Sequence, residues 1–140
     1  KNISKKGSKI FIEVPNIQDP LLSVWNIESY KTFFYHSAHI HYFSETSLNK
    51  IIDKAGFNIN KVQYNYSQDY NLLNHLNWIL NDSPQKNCKI GLSEINLIGK
   101  KPYINDWLSE ELTLLNKKYN QKLAEHKVTS NIMLMIDCDE

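Results

Sequence analysis

The sequence predicts an α/β fold, three strands with helices packed around them, and three features predict it. A β-branched apolar run, Lys9-Ile10-Phe11-Ile12-Glu13-Val14, stands near the start. A capped amphipathic helix follows from Ser44 to Phe57. A wholly apolar run, Ile132-Met133-Leu134-Met135-Ile136, comes after a polar turn near the end. The chain has 140 residues, 41% of them hydrophobic and 22% charged, which suits one packed domain or part of a larger one.

The first run is bounded by Lys6-Gly7-Ser8 before it and by Pro15, which has no N–H for a ladder, after it. Its near-continuous hydrophobicity predicts a strand covered on both faces, as in a parallel sheet. From Asn16 to Phe43 the pattern is mixed: Pro20, then Trp25, Tyr30, Phe33, Phe34 and Tyr35, then His36, His39 and His41. This predicts an irregular excursion with a short helix near Glu28 to Phe34, and connections of such length often serve as lids or binding loops.

Ser44 is a good N-cap, with Phe43 and Leu48 at the two positions of a hydrophobic staple. Leu48, Ile51, Ile52 and Ala55 form one apolar face. Gly56 suits a left-handed C′ position, with Phe57 placed to touch Ile52. Next, Val62, Tyr64 and Tyr66 alternate as in a strand. Leu72, Leu73, Leu76, Ile79 and Leu80 recur at helical spacing until Asn81-Asp82-Ser83-Pro84 stops them. Residues 85–104 read as a loop with Gly91, Gly99 and Pro102. Asp106 to His126 reads as a long helix, with Leu108, Leu112, Leu115, Tyr119 and Leu123 on its buried stripe. Acids near its start and lysines nearer its end match the helix dipole. Ile132 to Ile136 reads as a buried strand. Three strands are few for so many apolar faces, so the sheet is expected to continue in a segment N-terminal to this one.

Net charge is +1, from 16 basic and 15 acidic residues, and every basic residue other than histidine is lysine. Nucleic-acid binders need a clustered basic face and often use arginine forks, so a nucleic-acid partner is not expected. Cys88 and Cys138 lie far apart and outside any CxxC pair, which suits a reducing compartment. No apolar run approaches the roughly 20 residues of a membrane span, and the start does not resemble a signal peptide. The cytoplasm is the expected location, with no membrane partner. Beginning at Lys1, the chain reads as a cut or processed piece.

Order and wording together resemble a family, the class I S-adenosylmethionine-dependent methyltransferases. Lys6-Gly7-Ser8 through Val14-Pro15-Asn16 resembles their fifth strand and the turn before it, where many members read Lys-Pro-Gly-Gly, strand, Val-Pro-Asn. His39-Ile40-His41-Tyr42-Phe43-Ser44, then Thr46, Leu48 and Ala55-Gly56-Phe57, resembles their stretch leading to the sixth strand. Asn74-His75-Leu76-Asn77-Trp78 is similar to a segment of a subgroup from sugar and cell-surface polysaccharide biosynthesis, and Ile132 to Ile136 takes the place of the closing strand. The resemblance implies the C-terminal portion of a methyltransferase domain over residues 1–140. It would hold the last three strands of a Rossmann-like sheet, the final two antiparallel, with residues 16–43 as a substrate-side lid. The cofactor half is absent: Gly7, Gly56, Gly91 and Gly99 form no glycine-rich turn, so S-adenosylmethionine would be bound mainly by the preceding half. Alone, the piece is expected to be inactive.

Methyl transfer needs an oriented acceptor and, for a hydroxyl or carbon acceptor, a base that titrates near working pH. His39 is the catalytic candidate. In the related sugar enzymes a Tyr-x-x-His precedes the Phe-Ser, and here His36-Ser37-Ala38-His39 takes that place with histidine for tyrosine. Substrate-binding candidates are Glu13 and Asn16 at the carboxyl end of the first strand, Tyr35, His36 and His41 in the excursion, and Asn74 and His75 on the following helix. The acceptor is expected to be a small hydroxylated molecule such as a sugar. Two other functions fit the same residues: a non-catalytic binding module that kept the fold, or a metal enzyme using His36, His39 and His41, although HxH alone is a weak signal and no metal site is assigned. Exposed strand edges would permit a homodimer.

Overall fold

A computed structural model describes residues 5, 7–86 and 95–138. Cys88 and Gly91, and Lys6 of the first turn, lie outside the described residues. In chain order the elements are β1 (Ser8–Pro15), α1 (Pro20–Ser23), α2 (Glu28–Phe34), α3 (Glu45–Lys54), a 3-10 turn (Ile59–Lys61), β2 (Val62–Ser67), α4 (Leu72–Asn81), α5 (Pro102–Glu125) and β3 (Asn131–Cys138). The three strands form one sheet in the order β1-β3-β2. β3 is antiparallel to both neighbours, so β1 and β2 run parallel to each other. The last two strands are therefore antiparallel neighbours, as expected, and the last one lies in the middle. No helix among the described residues is long and apolar enough to cross a membrane.

Register sorts the side chains onto two faces. Leu134 lies opposite both Ile12 and Tyr64, and Ile132 opposite both Val14 and Tyr66. Because strand side chains alternate, Ile132, Leu134 and Ile136 share one face. There they meet Leu48 and Ile52 of α3 in one core cluster, with Phe43, Phe57 and Val62 packed around them. The other face carries Phe11, Met133 and Met135, with Lys9 paired to Asp137 at 3.0 Å across the strands.

Local signals explain α3. The Ser44 side chain accepts from Ser47 N–H, and the Ser47 hydroxyl accepts from Ser44 N–H, a capping box closed by serine rather than by the usual Glu or Gln. At the other end Gly56 has φ +81°, Gly56 N–H donates to Asp53 O and Phe57 N–H to Ile52 O, both orphan carbonyls of a Schellman ending. α4 stops where Asp82 turns left-handed at φ 51°.

The structure corrects several sequence expectations. β1 is not covered on both faces: among the described residues it pairs antiparallel with β3 alone, and Phe11 is 63% exposed. An apolar run cannot by itself distinguish a central strand from an edge strand. β3, read as buried throughout, alternates instead: Ile132, Leu134 and Ile136 are buried while Met133 and Met135 are half-buried. α5 begins at Pro102, inside the stretch expected to be loop, because proline at the first turn loses no helical hydrogen bond. Leu115 faces outward, and Asn116 takes the inner position to accept the Leu72 N–H at 2.8 Å. α4 likewise buries Leu72, Asn74, His75 and Trp78, leaving Leu76 and Leu80 exposed. In α4 the buried face is rotated from the apolar one, whereas in α5 only Leu115 leaves the stripe and Leu108, Leu112, Tyr119 and Leu123 stay wholly or partly buried. A polar residue with a partner inside is indistinguishable in sequence from one facing water.

Leu134 is fully buried at the centre of the sheet face that α3 covers. Leu134→Ala should cost about 2–5 kcal/mol of unfolding free energy, the usual range for an unfilled core cavity. Urea denaturation measures this, and a loss under about 0.5 kcal/mol, the scale of a surface change, would contradict the packing described.

Candidate active site

With β1 and β2 parallel and β3 reversed, the ends of β1 and β2 and the start of β3 gather at one edge of the sheet. The excursion between β1 and α3 leaves and returns at that edge: Phe43 N–H donates to Pro15 O at 3.0 Å and Ile17 N–H to Phe43 O at 2.8 Å. Stitched at its base, the excursion folds α1 and α2 into an aromatic cluster of Leu21, Tyr30, Phe34 and Trp78. Tyr30 meets the Trp78 ring edge-on at 5.0 Å, a favoured aromatic geometry.

Between this cluster and the strand ends lies a cavity of about 220 Å³. Asp19 and Tyr30 belong to its buried side, Phe33 and Phe34 to its wall, and His36 and His39 to its exposed rim. Tyr42 adds a further ring. On the sheet side it is lined by Asp69 and Tyr70, just after β2, and by Ser130 and Asn131 where β3 begins. Its size is below the roughly 300–1,000 Å³ of drug-sized sites, so it suits a single small ring.

Asp19 is 1% exposed and caps α1, with Oδ1 accepting from Leu21 N–H at 2.9 Å and Oδ2 facing the Tyr30 hydroxyl at 3.3 Å. Burial pushes its carboxyl up to about 7, the Asp69 charge adding to this while the bonds from Leu21 and Tyr30 oppose it. Burial, then the neighbouring Asp19, drives the Tyr30 phenol far above its ordinary value.

Asp69 is positioned by a buried relay. Asn131 Nδ2 donates to Asp69 Oδ2 at 2.8 Å, and Asp69 N–H donates to Ser130 Oγ at 2.8 Å. Ser130 N–H donates to Gln68 Oε1, which leaves Gln68 Nε2 to donate to His75 Nε2 at 3.1 Å. Burial holds His75 down at about 4, so it is neutral, with its proton on Nδ1 for the Tyr119 hydroxyl at 2.8 Å. His75 thus braces the loop that carries Asp69 and does not line the cavity.

The sequence candidates divide accordingly. His36 and His39 are brought together, ring centroids 4.9 Å apart, with His39 6.0 Å from the Tyr42 ring. His36 Nδ1 accepts from Ala38 N–H at 3.3 Å, so neutral His36 carries its proton on Nε2. His41 is exposed beside Phe43 and does not line the cavity. Tyr35 packs against Phe34 and Tyr42 from outside it. Glu13 accepts from Ser67 Oγ at 3.0 Å on the other sheet face. Asn16 is buried, its amide spent on Lys127 O and Gln18 N–H. Asn74 is buried too, accepting from Gln85 N–H at 2.9 Å. Among the described residues no group of three His, Cys, Asp or Glu side chains could hold a metal ion.

Sequence patterns do not single out Asp19 or Asp69. Gln18-Asp19-Pro20 carried a signal, since an acidic N-cap followed by proline marks a helix start. Asp69 had only its place between a strand and the Asn71 cap of α4.

Compared with family models, curated proteins and solved structures, the chain matches none.

Folded Asp19 keeps its proton up to about 7, whereas the unfolded chain gives it up near 3.8. Its contribution to stability is therefore full below the lower value and lost as pH rises through the upper one. Asn is an equally good N-cap, so Asp19→Asn should gain stability over the parent, by on the order of 2–4 kcal/mol between about pH 4 and pH 8. Urea denaturation across that range tests it, and a pH-independent difference would count against the carboxyl's environment.

Proposed function

We propose that this chain is the acceptor-side part of an S-adenosylmethionine-dependent methyltransferase acting on a small hydroxylated substrate such as a sugar. The observation that carries this is the cavity at the carboxyl ends of β1 and β2, where open α/β sheets bind ligands, with His39 and His36 on its rim. Support also comes from β1. No described strand pairs with its outer edge, and that edge and the exposed Phe11 and Ile12 fit a sheet that continues on that side. The resemblance of Val14-Pro15-Asn16, Phe43-Ser44 and Ala55-Gly56-Phe57 to the family supplies the reaction.

The described residues do not fit a cradle for the cofactor. Gly7, Gly56 and Gly99 sit in separate segments, far from forming one glycine-rich turn. The cofactor, where bound, supplies the methyl group, and no residue here is assigned to hold it. The chain's own contribution is to seat the acceptor. Phe33, Phe34 and Tyr42 offer apolar walls that keep out water, and Asp69 and Asn131 offer polar atoms that orient hydroxyls. His39 removes the acceptor proton at an imidazole nitrogen, while the neighbouring His36 donates from Nε2.

In the longer polypeptide that includes the upstream segment, His39→Ala should lower kcat by about 10²–10⁴, the usual worth of a general base, with cofactor affinity unchanged. His41→Ala, outside the cavity, should leave both near the parent values. Steady-state kinetics with cofactor titration decide this, and undiminished turnover in His39→Ala would remove the base from that residue. An upstream segment lacking a strand followed by a glycine-rich turn would remove the transferase reading itself.

A further inference from the structure

The cavity has a charge character that the transferase reading does not use. Its lining contains two carboxyl groups, Asp19 and Asp69, and among the described residues no lysine lines it. The chain has no arginine at all. A phosphate or carboxylate entering here would find no fixed cation and two acids. A cation would find the opposite.

The rings add to this. Phe33 and Tyr70 stand edge to face, 6.2 Å apart at 62°, and Phe34 and Tyr42 lie 4.7 Å apart, while Tyr30 lines the same space. Aromatic faces carry a negative quadrupole and attract an ammonium within about 6 Å of the ring centroid, so the ring surfaces that line this cavity add to the attraction of its carboxyl groups. Asp69 is anchored through Oδ2 to Asn131, and among the described residues no hydrogen bond engages its other oxygen. Burial keeps Asp19 short of full ionisation, so an entering ammonium would bring the counter-charge that this carboxyl lacks.

We infer that the group seated in this cavity bears an ammonium, and that the acceptor is an amino sugar whose amine lies among Phe33, Tyr70 and Asp69 with its hydroxyls toward Asn131 and the histidine rim. This deepens the acceptor reading and rests on the same cavity. The size of the cavity, about 220 Å³, accommodates one ring and not a nucleotide, so a diphosphate carried by such a sugar would have to stay outside.

The test is a two-dimensional NMR titration of the full 140-residue chain with D-glucosamine, N-acetyl-D-glucosamine, D-glucose 6-phosphate and ethanolamine. Glucosamine should shift the amides of Phe33, Asp69, Tyr70 and Asn131 and bind at least about 10-fold more tightly than the acetylated and phosphorylated sugars, the gain expected of a paired ammonium, and more tightly than ethanolamine, which has the ammonium without the ring. Asp69→Asn should erase that preference while leaving the dispersed spectrum intact. Where that variant fails to fold, the comparison of the four ligands on the parent chain decides alone. Equal or tighter binding of the acetylated or phosphorylated sugar, or no saturable shift with glucosamine, overturns the inference. Ethanolamine binding as tightly as glucosamine overturns the amino-sugar assignment. These titrations contain no cofactor. Ammonium selectivity without methyl transfer by the longer polypeptide therefore sinks the transferase reading alone, and methyl transfer without ammonium selectivity sinks this inference alone.

Discussion

The placement of β3 between β1 and β2, antiparallel to each, is the constraint on which everything else depends. It joins two strands that do not touch, and its register decides which residues share an end of the sheet. Pro15 faces Asn131 across one pair of strands, and Ser67 faces the same Asn131 across the other. The turn before β3 and the loop after β2 are then tied by Ser130, Gln68 and Asp69. A one-residue slip would move Ile132, Leu134 and Ile136 to the open face and separate Asn131 from Asp69. Core packing and cavity geometry are consequently one property of this chain.

Burial works in two directions around the cavity. It lowers His75, which is neutral and committed to bracing, and it raises Asp19, which is poised near neutrality behind the aromatic wall. Both are fully enclosed polar groups, yet they differ in use. His75 has a partner on each ring nitrogen, so nothing is left for a ligand. Among the described residues neither rim histidine has partners on both ring nitrogens, and Asp69 has one carboxylate oxygen engaged. Groups enclosed and satisfied hold the loops in place; groups at the rim with spare bonding capacity are the ones a substrate can reach.

Elements whose signals are local were legible in the sequence. Ser44 and Gly56 mark the ends of α3 through backbone rules that need no tertiary context, and α2 was placed at the residues it occupies. The α/β class also follows, while the antiparallel relation of the last two strands comes only from what the resemblance implies. What was illegible is the choice of face. Leu115 and Leu76 look like core and stand outside, while Asn116, Asn74 and His75 look solvated and stand inside. Those choices are made by partners distant in sequence, such as Leu72 N–H for Asn116 and Tyr119 for His75. The site divides on the same line. His36 and His39 enter through the resemblance of His36-Ser37-Ala38-His39 to a Tyr-x-x-His stretch, whereas Asp19 and Asp69 become visible only once α1, α2 and the β2 end are brought together.

β1 carries the widest consequence, since its outer edge has no neighbour among the described strands and its apolar side chains Phe11 and Ile12 remain in water. Natural edges are usually blunted by charge or proline, and here only Lys9, Glu13 and the terminal Pro15 do so. Under the proposed function, the cavity lies at the end of a sheet that goes on past this edge. Hydrogen exchange resolved at single β1 amides, in this chain and in the longer polypeptide, is the most direct test. Amides of β1 that do not donate to β3 should exchange freely in this chain and gain protection of about 100-fold or more, roughly 3 kcal/mol, when the upstream segment is present. Unchanged exchange at those amides would mean that no strand joins β1, and the account of this cavity as the acceptor end of a larger sheet would fail.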